Sequence, residues 1–135
     1  MLLTPQRYRD SSKSIMSPTA TRNGCLYESK VNKFLVQVFG DKVDLQVKLT
    51  RGVADALARL THPALIEIKL TQTPDAYYQL LRYAEDFATP TIRCVITKTV
   101  VRTIITPERP VYLPKLAELN NVGPGYYVIP FEARR

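Results

Sequence analysis

A single histidine, His62, and two cysteines, Cys25 and Cys94, leave this chain few routes to several common chemistries. Zinc hydrolases and nucleophilic triads usually need imidazole, and one histidine in a turn before Pro63 serves neither. The two cysteines lie too far apart in sequence for a metal knuckle and read as small buried hydrophobes or free thiols. No apolar run approaches the roughly 18–20 residues a membrane span requires. Leu2 and Leu3 give way at once to polar residues, so there is no secretory h-region, and the expected setting is intracellular. Any chemistry must run on carboxylates, lysine and a hard cation.

What is present suits one domain. The chain has 135 residues, 45% hydrophobic and 23% charged, which is enough for a genuine core. Its net charge of +7 favours a polyanionic partner, and inside a cell that is most often nucleic acid. A solvated basic surface would carry the same charge, so charge alone does not identify the chemistry.

Residues 1–22 hold Arg7, Arg9, Lys13 and Arg22 among Ser, Thr and Pro without apolar periodicity, which reads as a basic N-terminal arm. Residues 23–135 read as one domain. Tyr27, Val31, Phe34, Leu35 and Val38 recur at three- and four-residue intervals and predict a helix over 24–39, with Gly40 at its C-terminal cap and Glu28 near its start. The period then changes to two, and Val43, Leu45, Val47 and Leu49 mark a half-buried strand. Turns at Thr50-Arg51-Gly52 and Thr61-His62-Pro63 separate it from strands over 53–60 and 64–70, giving an antiparallel meander. Pro74 and Asp75 open a second helix running to about Phe87. The run 91–98 predicts a buried strand and 100–105 a further one paired with it. A short helix over 115–119 and a closing strand over 126–129 complete an α/β chain of order αβββαβ with additions.

In Ile66-Glu67-Ile68-Lys69-Leu70 a strand would set Glu67 and Lys69 on one face and commit Ile66, Ile68 and Leu70 to the other. Asp55 interrupts the apolar strand before it, and the short turn at 61–63 would bring Asp55 beside Glu67. Two carboxylates with a main-chain carbonyl, that of Ile68, make an oxygen set suited to Mg²⁺ or Mn²⁺. Such a metal polarises a phosphate and generates hydroxide, while Lys69 orients or deprotonates the water and offsets charge on the phosphate. The plain alternative is that Asp55 pairs with Arg51 or Lys69.

The segment from Arg22 to Leu70 resembles the PD-(D/E)xK nuclease superfamily, and within it the archaeal Holliday junction resolvases. The resemblance rests on Arg22-Asn23-Gly24-Cys25-Leu26-Tyr27-Glu28 leading into a helix, on Gly52-Val53-Ala54-Asp55, and on Leu65-Ile66-Glu67-Ile68-Lys69, in that order. It implies a restriction-endonuclease-like core with a central mixed sheet flanked by helices. It also implies metal binding by Asp55 and Glu67, catalysis by Lys69, assistance from Glu28, branched or duplex DNA as substrate, and a homodimer. Thr50-Arg51-Gly52 stands where resolvases carry a serine or small-residue loop. Gln79 and Tyr83 look instead like the Gln-x3-Tyr motif of RecB-type nucleases, which implies that Gln79 reaches the metal-bound water or a phosphate with Tyr83 supporting it. Arg22, Arg51, Arg82 and Tyr83 are candidate DNA contacts; Arg59 and Arg93 could extend a phosphate track or be solvated charges. Tyr77 and Tyr78 read as packing residues. Rivals are a RecB-like or restriction-type nuclease on ends, flaps or duplex, and a DNA-binding module without catalysis.

Overall fold

A computed structural model describes residues 18–101, 111–113 and 116–132. Helix α1 (Pro18–Phe39) leads into strands β1 (Val43–Leu49), β2 (Gly52–Ala58) and β3 (Ala64–Thr71). Helix α2 (Pro74–Ala84) follows, then β4 (Ile92–Thr99), β5 (Val111–Tyr112) and β6 (Gly125–Pro130). The six strands form one mixed sheet in the order β1-β2-β3-β4-β6-β5. β1, β2 and β3 are the antiparallel meander, whereas β3, β4, β6 and β5 run parallel.

Two cores explain the layering. On one face Tyr27, Val31, Leu35 and Phe39 of α1 pack on Ala64, Ile66 and Ile68 of β3 and on Ile92, Cys94 and Ile96 of β4. On the other, Ala76, Tyr77, Leu80 and Tyr83 of α2 pack on Leu65, Val95, Tyr126 and Val128. β3 and β4 are therefore buried on both sides, as the middle of a parallel sheet covered by helices must be. Tyr77 meets Tyr126 edge-on, with ring centroids 4.9 Å apart. Tyr78 makes an edge contact with Tyr77 but is about half exposed, so it is less of a packing residue than its partner.

Several boundaries differ from expectation. α1 takes in Pro18–Phe39, so Arg22 belongs to the helix and Glu28 to its middle. Arg7, Arg9 and Lys13 lie outside the described residues. β2 stops at Ala58, because the Arg59 N–H turns to the Lys42 carbonyl and that of Leu60 to Ala58. α2 ends at Ala84 and tightens into three-residue turns as far as Phe87. The strand expected over 100–105 is not found at its start: β4 ends at Thr99, and the Val101 N–H donates to the Gln72 side chain at 3.1 Å. Residues 102–105 and Lys115 lie outside the described residues, while Leu116–Asn121 forms a 3₁₀ helix. Among the described residues, no helix is long and apolar enough to cross a membrane.

Candidate metal centre

The β2–β3 ladder pairs Ala58 with Ala64, Leu57 with Leu65 and Ala56 with Ile66, and there it stops. The next residues across the gap are Asp55 and Glu67, and their side chains take over the backbone's work. The Asp55 N–H donates to Glu67 Oε2 at 3.2 Å, and the Ile68 N–H donates to Asp55 Oδ2 at 2.7 Å. Each carboxylate thus satisfies a donor that strand pairing would otherwise have used. Two carboxylates therefore meet at one notch in the sheet.

Burial sets the electrostatics. Glu67 is only 2% exposed, and burial, then the Asp55 charge, push its carboxyl well above the usual range. Burial likewise raises Asp55, against the opposing hydrogen bond from Ile68 and the Lys69 charge. Lys69 Nζ lies 3.8 Å from Glu67 Oε1, at the half-buried lip of the site. Burial alone would lower the Lys69 pKa, but Glu67, Asp55, Glu28 and Asp75 together leave it raised, so it stays protonated. Glu28, reaching in from α1, is pushed up to about 7, first by burial and then by Asp55. Burial thus raises the proton affinity of all three carboxyls, against the Lys69 ammonium that faces them.

The donor chemistry narrows which cation. Among the described residues, no group of three or more His, Cys, Asp or Glu converges as a metal-ligand set. The fork instead offers two carboxylates, with the Lys69 ammonium 3.8 Å from one of them. That set fits Mg²⁺ or Mn²⁺, which keep several waters, better than a zinc site of nitrogen and sulfur ligands.

No protein-family model, no curated protein and no solved structure matches this chain.

The remaining candidates fall into two groups. Gln79 and Tyr83 meet: Gln79 Nε2 donates to the Tyr83 hydroxyl at 3.0 Å, and that hydroxyl donates to the Val53 carbonyl at 3.1 Å. Tyr83 lies close enough to Glu67 and Asp55 for their charges to raise its pKa further, after burial. It is 2% exposed, so its ring packs against the hairpin and presents no stacking surface for a base. Arg22 and Arg82 are exposed. Arg51 is exposed too, but its guanidinium pairs with Glu85 at 3.0 Å and not with Asp55. Arg59 is engaged by Asp44 and the Asp41 carbonyl. Arg93 is buried in β4 opposite Leu65. His62 is half-buried, Cys94 is a buried thiol and Cys25 an exposed one.

One residue of the site was not anticipated. Gln46 Nε2 donates to Glu28 Oε2 at 2.9 Å, and its amide also lowers the proton affinity of Asp55. Its position in an alternating strand reads as an ordinary solvent-facing residue, and nothing in the local sequence distinguishes it.

Proposed function

We propose that this chain is a Mg²⁺-dependent endodeoxyribonuclease of the restriction-endonuclease-like type, acting on branched DNA. The observation that carries this reading is the fork, where Asp55 and Glu67 interlock across the end of the β2–β3 ladder with Lys69 at the lip. The element order α1-β1-β2-β3-α2-β4, with the acidic pair on β2 and β3, agrees with the resemblance drawn from the sequence.

Asp55, Glu67 and the Ile68 carbonyl would hold the metal, which when bound polarises the scissile phosphate and acidifies a water. The chain's own residues do the rest. Lys69, protonated in this setting, fits the role of offsetting charge on the phosphate and orienting the water better than that of a base. Glu28, with a pKa near 7, is matched to accept or return a proton at neutral pH. Exposed Arg22 and Arg82 would contact the DNA backbone, and the net charge of +7 would draw it in. Symmetric cutting of a junction would require a homodimer with two such forks, inside a cell. The Gln79–Tyr83 hydrogen bond favours a second reading, a RecB-like nuclease acting on ends or flaps.

Labelled four-way junction, flap, duplex and single-stranded DNA, incubated with Mg²⁺ or Mn²⁺, test these readings. Paired symmetric nicks on the junction are the expected result. Cutting of ends or flaps would favour the RecB-like reading. Binding without cleavage of any of them would leave a DNA-binding module.

A further inference from the structure

Gln46 has φ of +55°, the one non-glycine residue with positive φ among the described residues. Side chains other than glycine enter this left-handed region at a cost, and Asn or Asp are the usual exceptions. Gln46 is exposed, so no gain in burial explains the conformation. The β1–β2 ladder pairs Leu45 with Ala56 and Val47 with Ala54, but it omits Gln46 and Asp55 between them. Packing changes sides at that step. Val43, Ala56 and Ala58 belong to the α1-facing core, whereas Ala54 and Leu49 pack in the α2-facing one. Both strands therefore turn over where Gln46 faces Asp55, and the turn leaves the Asp55 N–H for Glu67. From this bend the Gln46 amide meets Glu28 of α1 at 2.9 Å.

We infer that Gln46 is a positioning residue of the candidate metal centre, its left-handed backbone and its amide together holding Glu28 of α1 beside Asp55. A neutral amide with two N–H donors suits this place, since it can bridge two carboxylates without supplying the positive charge that a cation would bring. Strain kept at an exposed residue whose side chain reaches the acidic cluster is the pattern of backbone cost retained for function. This inference rests on the reading of Asp55 and Glu67 as cation ligands.

The test measures Mn²⁺ affinity by calorimetry and thermal stability for wild type, Gln46→Asn, Gln46→Gly and Glu28→Ala, together with Gln46→Asn/Glu28→Ala. Asparagine tolerates the left-handed backbone and keeps an amide but is one methylene too short; glycine keeps the bend alone. Both Gln46 variants are expected to melt within about 3 °C of wild type, while Mn²⁺ binds about 10-fold more weakly. Adding Gln46→Asn to Glu28→Ala should cost nothing further, because the two act through one contact. Wild-type affinity in both Gln46 variants would overturn the inference while leaving the metal site standing. A collapse of melting temperature in both would make Gln46 merely structural and overturn it too. Failure of the wild type itself to bind Mn²⁺ would remove the metal reading, and this inference with it.

Discussion

Asp55 and Glu67 exchange hydrogen bonds across a break in the sheet: Asp55 gives its N–H to Glu67 and takes the N–H of Ile68. The strands separate where the buried Glu67 and half-buried Asp55 carboxylates replace ladder bonds, so the local fold and the acidic cluster are one feature. Asp55 is not committed to Arg51, which pairs with Glu85 instead.

Neutralising either carboxylate should stabilise the protein. Burial penalises the charged form of both, while an amide can still accept the bond from Asp55 N–H or Ile68 N–H. Asp55→Asn and Glu67→Gln are each expected to gain about 1–2 kcal/mol at neutral pH without divalent cation, read from urea unfolding. A loss in both would mean that the charges are already compensated.

Stability should fall as pH rises through the carboxylate-to-neutral range. Glu28 has a folded-state pKa of about 7 against an ordinary 4.5, and Asp55 and Glu67 are raised as well. The folded state thus holds more protons than the unfolded one in this window. The contribution of Glu28 is full below about 4.5 and lost as pH passes about 7. Lys69 is raised above the ordinary lysine value, so its contribution disappears only at far higher pH. Melting temperatures across this range should decline for wild type and decline less steeply for Glu28→Gln; an unchanged slope in the variant would contradict the assignment.

A side chain at Gly52 would be strained. The glycine's φ is +146°, and a Cβ there would lie 3.1 Å from both Cε1 and the hydroxyl of Tyr83. Gly52→Ala is therefore expected to cost about 1–3 kcal/mol in urea unfolding. Moving Tyr83 would also disturb its bonds to Val53 and Gln79. A cost near zero would show that the hairpin can shift without penalty.

Lys69→Met separates charge from packing at the lip. The methionine keeps the stem but removes the ammonium beside Glu67. Cleavage is expected to fall about 10²–10³-fold, with DNA affinity changed only a few-fold in a filter-binding assay. Undiminished cleavage would exclude Lys69 from the chemistry.

Much of this architecture was legible because its signals are local. Val43 to Leu49 forms a strand, Gly52 and Pro63 break the chain, and the strands between fall into the expected meander, although Leu45 is exposed and Leu49 packs on the opposite face from Val43. The short turn between β2 and β3 is also why the approach of Asp55 to Glu67 could be anticipated. The rest depends on distant partners. Val111–Tyr112 is too short for a period to show and becomes a strand only by lying beside β6. Arg93 reads as a surface charge in an apolar run, yet its neighbours in β3 and β6 and the layer formed by α2 bury it. Gln46 escaped notice because the bend that aims it is a property of two paired strands.

The most direct test of the central claim is a titration of the ¹⁵N-labelled protein with substoichiometric Mn²⁺, followed by amide resonances. Paramagnetic broadening should strike Asp55 and Ile68 first, since their N–H groups point at the two carboxylates, and Glu67→Ala should abolish it. Broadening that spares these amides, or that survives in Glu67→Ala, would contradict a metal centre at the Asp55–Glu67 fork.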